Sequence, residues 1–275
     1  MKKFILPFSF LLLTLFVARI SFAQVRGNGV VEEQTRLTGR FQSIVSVSSV
    51  DIVVRQGDAF TVKVVADGNL IPYIKTEVKN NTLYVSVTKN IWKAREMEVQ
   101  VTLKELHKVV LSGSGDFSCE RPFKTSGIEF VVSGSGDVEA ALDTPAVQVK
   151  MSGSGDVELQ GIRGKLVADI TGSGDLEASK LQLEECTLKV TGSGDGVLKG
   201  RTAQLTVLSV GSGDVDASGL TAVVVKIKAN GSGDILVHPA ERLEGTLAGS
   251  GDLRYSGSPA FVKVAATGSG NVYHR

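Results

Sequence analysis

The sequence predicts an all-β chain, wound as a parallel β-solenoid of about 19 to 20 residues per coil and entered through a less regular β-rich part. Three observations carry that prediction. A Gly-Ser-Gly-Asp or Gly-Ser-Gly-Asn tetrapeptide recurs nine times at one spacing, apolar and polar residues alternate on both sides of it, and the intervals are too short for a helical crossover between strands.

The first 23 residues form a unit of their own. Lys2 and Lys3 precede an apolar run from Phe4 to Val17, and Ser21-Phe22-Ala23 offers small residues at the positions that a signal peptidase reads before Gln24. The run is shorter than the roughly 20 residues needed to span a bilayer, and nothing later is apolar enough, so residues 1–23 read as a cleaved leader of a chain that does not span a membrane. Removing Lys2, Lys3 and Arg19 takes the formal net charge from +1 to −2, and no dense basic run is left to follow a phosphate backbone, which argues against nucleic acid as a partner.

Residues 24–107 lack the tetrapeptide but carry alternating segments at Ile44 to Val54, Phe60 to Val65, Thr82 to Val87 and Glu98 to Leu103. Turns are expected at Gln56-Gly57-Asp58, Asp67-Gly68 and Lys79-Asn80-Asn81. Ser48-Ser49-Val50-Asp51 reads as a decayed copy of the tetrapeptide, so this part should run into the solenoid and cap its first coil. Its irregular segment, Thr88 to Val99, holds the only tryptophan, Trp92, with Lys89, Lys93 and Arg95 nearby. Trp92, Lys93 and Arg95 suit a surface contact with a glycan or protein. The competing expectation is that Trp92 folds back to plug the end of the coil stack.

In residues 108–275 the tetrapeptide starts at Gly113, Gly134, Gly153, Gly172, Gly192, Gly211, Gly231, Gly249 and Gly268, in steps of 21, 19, 19, 20, 19, 20, 18 and 19 residues. Before it come half-buried strand patterns such as Val147-Gln-Val149-Lys-Met151. After it, Phe117, Val138, Val157, Leu176, Val215, Ile235, Leu253 and Val272 follow the Asp or Asn directly, with Gly196 alone breaking the series. A unit is therefore a strand, a tight corner, a second strand and a return turn. A βαβ unit needs thirty residues or more, so each strand must stack on its counterpart in the next coil, at about 4.8 Å per coil. The corner is then structural: glycine supplies backbone angles denied to other residues, and Ser and Asp bond to nearby amides.

Stacking would align Asp116, Asp137, Asp156, Asp175, Asp195, Asp214, Asp234 and Asp252 in one column that ends at Asn271, with Glu139, Glu158, Glu177 and Asp216 at the next outward position. Calcium-binding solenoids place an aspartate in both turns of each coil, whereas here one corner is acidic, so the column is expected to hold no tight metal site. Cys119 and Cys186 fall about four coils apart, roughly 19 Å, beyond the roughly 4.4 to 6.8 Å that a disulfide tolerates, and should be buried free thiols.

The segments "GNGVV" at 27–31 and "ADGNLIPYIKTEVKNNTLYV" at 66–85, with the repeated "SGSGD", resemble the putative auto-transporter adhesin, head GIN domain family, widespread among exported proteins of Bacteroidetes. The resemblance implies a right-handed parallel β-helix. The chain stops at Arg275 within a coil, without the ten-residue amphipathic strands that close an outer-membrane barrel, so periplasmic, cell-surface or extracellular residence is expected rather than self-delivery. An uncovered last coil would pair end to end with another copy or be covered by a folded-back segment.

Parallel β-helices also host polysaccharide lyases and hydrolases, which gather catalytic groups on long loops. Here the returns are short, and His107, His238 and His274 fall in different units. No nucleophile elbow, metal-spaced His/Cys pair or phosphate loop is present. The sequence therefore points to a non-enzymatic, exported, adhesin-like module without a cofactor, whose partner is an envelope, glycan or protein ligand. The alternative is a carbohydrate-active enzyme with an unrecognised site.

Overall fold

The computed structural model describes residues 24–275; the leader assigned to residues 1–23 lies outside the described residues. From Lys108 onward the chain is a parallel β-solenoid whose coils are joined by two ladders. The ladder before the corner runs from Lys108–Leu111 through Ile128–Val132 to Phe261–Ala266. The ladder after it runs from Phe117–Lys124 to Leu253–Tyr255 and Val272–His274.

Between them lie six long strands: Val138–Met151, Val157–Ile170, Leu176–Val190, Gly196–Ser209, Val215–Ala229 and Ile235–Leu247. Each spans from one corner to the next. The return is thus not a separate turn, as the spacing suggests, but an irregularity in a continuous strand, because every pairing between these strands shifts register there. Left-handed backbone at Gly161, Gly164, Lys180 and Gly200 makes the bend in three of the coils.

Alternation places Val138, Ala140, Leu142, Val147, Val149 and Met151 inward within one strand, and the same positions of the neighbouring coils form buried columns that end at the last coil, where Val262 is exposed. The core is continuous along the axis, each coil burying its apolar face against its own opposite wall and against its neighbours. Gly196, the gap in the apolar series, is filled from across the core: a Cβ there would lie 2.6 Å from Leu188 Cδ2. Cys119 and Cys186 are buried free thiols on different ladders, and burial pushes both thiols up to about 12.

Below Lys108 the same two ladders continue, then close. Ser43–Ser46 pairs in parallel with Lys108–Leu111 above and Thr82–Val87 below. Asp51–Gln56 pairs in parallel with the start of Phe117–Lys124 and with Met97–Leu103. The alternating segment from Ile44 to Val54 is two strands around the corner expected at Ser48 to Asp51, with Val50 buried at the bend.

Closure comes from a change to antiparallel pairing. Ile74–Lys79, which was not among the expected strands, pairs with Thr82–Val87 through a two-residue turn whose Asn80 and Asn81 both have positive φ, 48° and 62°, the type I′ geometry that asparagine tolerates. On the other side Thr61–Asp67 runs antiparallel to Met97–Leu103, and Val31–Arg36 antiparallel to Thr61–Asp67. These outermost strands carry the polar sequences VEEQTR and IKTEVK, which make poor templates for a further strand. The Arg36 guanidinium bonds Ile71 O, Ile74 O and Thr76 Oγ1 at 3.2, 2.7 and 3.0 Å, tying one edge to the other.

Candidate functional site

At each corner the main chain of one coil lies directly on that of the coil below. In the coil that contains Gly172, the Ser173 and Gly174 amides both donate to Gly153 O, at 3.0 and 3.4 Å, and the neighbouring coils repeat the pattern. None of the corner glycines has positive φ, so the expectation that they supply unusual backbone angles is wrong. They are required by contact: a Cβ on Gly172 would sit 1.9 Å from Gly153 O, and one on Gly174 2.1 Å from Gly155 O. Any side chain would force the coils apart.

The aspartate answers a different need. After Ser and Gly have donated downward, the amide of the Asp has no main-chain acceptor, and the carboxylate of the coil below provides one. Asp137, Asp156, Asp175, Asp195, Asp214, Asp234 and Asp252 each donate their amide to Oδ1 of the preceding aspartate at 2.7 to 2.9 Å, and Asn271 donates to Asp252 at 2.9 Å. The column starts one coil lower than the repeat, since the Asp116 amide donates to Asp51 Oδ1 at 2.9 Å. The side-chain bonds run between coils, not back within one corner.

The two ends of this column differ. At the base, burial pushes the Asp51 carboxyl above its ordinary range; the Asp116 amide opposes this, and the nearby charges of Asp116 and Glu98 add to it. At the top, the Asp252 amide and the Arg254 guanidinium hold Asp234 below the usual range, with Arg254 contacting Asp234 Oδ2 at 2.6 Å and Asp252 Oδ2 at 3.0 Å. Arg254 could have been suspected from its place, two residues past Asp252 on the outward face. In the parallel acidic column Glu177 pairs with Lys199, and Asp216 accepts from the Ser218 amide and hydroxyl; Glu139 and Glu158 stand exposed.

Trp92 lies where the lowest coil should turn its corner, between Thr82–Val87 and Met97–Leu103. It is 65% exposed, so it does not plug the coil stack. Ile91–Lys93 is held by pairing with Val25–Arg26, and the Arg26 guanidinium lies 5.9 Å from the Trp92 ring centre. Lys93 and Arg95 are exposed beside it, but Arg95 is partly occupied: its amide donates to buried Asp67 at 3.0 Å and its guanidinium to Gly29 O at 3.3 Å.

The histidines serve local bonds. His107 Nδ1 contacts Gly127 O at 3.1 Å, while His238 and His274 meet the same turn, at Ser256 Oγ and Gly257 O, both at 2.8 Å. Among the described residues no three His, Cys, Asp or Glu side chains converge to hold a metal ion, and no helix is long and apolar enough to cross a membrane.

A family model described as putative auto-transporter adhesin, head GIN domain, matches residues 40–198 and again 188–259. Solved structures with the same fold include a putative adhesin from Parabacteroides distasonis ATCC 8503, 23% identical with a TM-score of 0.70. They also include a putative lipid binding protein from the same strain, at 25% and 0.65, and a putative adhesin from Parabacteroides merdae ATCC 43184, at 22% and 0.64. Each likeness covers 91% of this chain and 99 to 100% of the other. No curated protein matches the chain.

Proposed function

Because the chain belongs to the putative auto-transporter adhesin, head GIN domain family, we propose that it is an exported, non-enzymatic module that presents a rigid surface for adhesion at the cell envelope. The observation that carries this reading is how the polar groups of the repeat are used. The corner carboxylates are tied to main-chain amides of the next coil and the histidines to local carbonyl and hydroxyl groups, so these candidate acid–base groups serve to hold the solenoid together, which supports a non-catalytic reading. Stacked coils make a stiff rod, and a stiff rod holds contact groups at fixed separations, which lowers the ordering cost of an extended contact.

Trp92, with Lys93 and the exposed part of Arg95, is the proposed contact point at the N-terminal end. An exposed indole flanked by cations presents a flat apolar face with charged edges, suited to a sugar ring or a protein loop. End-to-end pairing of coils is the proposed route to self-association.

The test is a binding screen of the purified protein against envelope extracts and immobilised glycans, run beside assays for new reducing ends and unsaturated sugar products. Saturable binding without turnover is expected, weakened several-fold by Trp92→Ala. Product release from any polysaccharide, or an absence of envelope binding, overturns the reading.

A further inference from the structure

The outward face of the ladder before the corner is electrically uneven. In its lower half each acidic side chain is matched across rungs: Glu129 lies between Lys108 at 2.8 Å and Lys150 at 2.7 Å, and Asp169 pairs with Lys189 at 3.0 Å. In its upper half Lys226, Lys228 and Lys263 are exposed, and none forms an ion pair among the described residues. Register places Glu244 on the rung between Lys226 and Lys263, but its carboxylate is taken by Arg242 at 2.7 Å, and the Arg242 guanidinium is in turn held over the Phe261 ring at 4.4 Å.

These three lysines border an open groove of about 440 Å³, lined also by Thr206, Leu208, Thr246 and the Arg242-paired Glu244. Small side chains make it: Thr246 and Ala265 follow Lys228 in their column, so the sheet surface is low between flanking ammonium groups.

We propose that this groove binds a linear acidic polysaccharide. The inference rests on the adhesion reading above and names the ligand class of one face. Lys226 and Lys228 are about 6.6 Å apart along the strand, and Lys226 and Lys263 about 10 Å apart across two rungs. That layout addresses several negative groups along an extended chain rather than one compact anion. Charge complementarity selects the sign, since three unmatched ammonium groups within about one Debye length raise the local concentration of a polyanion. Thr206 and Thr246 offer hydroxyls to sugar hydroxyls, and Leu208 and Ala265 offer apolar contact to sugar C–H faces. A nucleic-acid strand fits less well, because the groove has no aromatic side chain on which bases would stack.

The experiment measures binding of the purified protein to polygalacturonate, heparin, neutral dextran and oligo-dT at low and high salt. Three proteins are compared: wild type, the triple variant Lys226→Gln, Lys228→Gln, Lys263→Gln, and a control with Lys75→Gln, Lys104→Gln, Lys124→Gln that removes the same charge elsewhere. Wild type and control should bind one or both acidic glycans, more weakly as salt rises, and should not bind dextran; the triple variant should bind roughly tenfold more weakly. Equal binding by wild type and triple variant, equal loss in the control, a preference for oligo-dT, or no binding of either acidic glycan overturns the assignment. If envelope extracts still bind while the acidic glycans do not, the groove assignment falls and the adhesion reading stands.

Discussion

The two bends of each coil differ in how strictly they repeat. At the corner, main chain meets main chain: the first glycine carbonyl accepts two amides from the coil above, and each aspartate accepts a third. At the return the strands keep pairing but slip register in every coil, and the bend is made by different residues each time, Gly161 and Gly164 in one coil, Lys180 in the next, Gly200 in the one after. At the corner the close main-chain contact falls on the same residues in every coil and so fixes the sequence. At the return it moves from place to place, a Cβ meeting a carbonyl oxygen at 2.2 Å on Gly161, 2.5 Å on Gly164 and 2.3 Å on Gly200, and the sequence drifts.

The sharpest way to break the comparison is to place a methyl group at each kind of bend. Gly172→Ala puts a Cβ 1.9 Å from Gly153 O and should cost on the order of 3 to 5 kcal/mol, or prevent folding. Gly127→Ala at a return meets nothing nearer than 3.7 Å and should stay within about 0.5 kcal/mol of wild type. Urea unfolding of the pair decides it; equal losses would mean that close stacking is not what selects glycine.

A smaller effect should follow from the corner acid. Asp175→Ala removes the acceptor for the Asp195 amide, a 2.7 Å bond, and should cost about 1 kcal/mol. Asp175→Asn keeps an oxygen acceptor and should recover most of that loss. If Asn is as damaging as Ala in thermal melts, the charge rather than the acceptor matters.

Smaller still, the two ends of the column should titrate in opposite senses. The folded-state value of Asp234 is depressed, so its contribution is complete above the unfolded value of about 3.9 and is lost as pH falls through the folded value. The value of Asp51 is raised, so its ionised form costs stability near neutrality, and that cost is relieved as pH falls through the folded value. Asp51→Asn should therefore raise the melting midpoint at pH 7 by roughly a degree or two, and Arg254→Gln should lower it by a similar amount, with both differences vanishing near pH 2. Shifts of the same sign at pH 7 would contradict the assignment of the two ends.

The least effect is expected from calcium. With one oxygen of each corner carboxylate bonded to an amide, a column of single acids falls short of the six to eight oxygens that the ion takes. Melting midpoints in calcium and in EDTA should coincide; a rise of about ten degrees would make the corners ion sites.

What could be read without coordinates was whatever repeats or alternates. The nine tetrapeptides set the coil length, the apolar residue after each Asp marked the core, and the coil count between Cys119 and Cys186 kept the thiols apart. Ser48 to Asp51 was legible as a corner because Asp51 keeps the side chain that the Asp116 amide needs. Ile74–Lys79 went unread although Ile74, Thr76 and Val78 alternate with Lys75, Glu77 and Lys79, because only the Asn80-Asn81 turn, which pairs it with Thr82–Val87, gives it a place in the fold.

The sequence by itself thus determined the period, the inward faces and the place of the acid column, because each follows from spacing along the chain. Only the tertiary structure decided why the corner residues are glycine, where Trp92 points, and which lysines lack an acid partner. Those depend on distances between coils: a carbonyl 1.9 Å from a missing methyl group, or a carboxylate held by Arg242 instead of by the lysines on the rungs to either side. Separations between residues some twenty positions apart appear only once the coils are stacked.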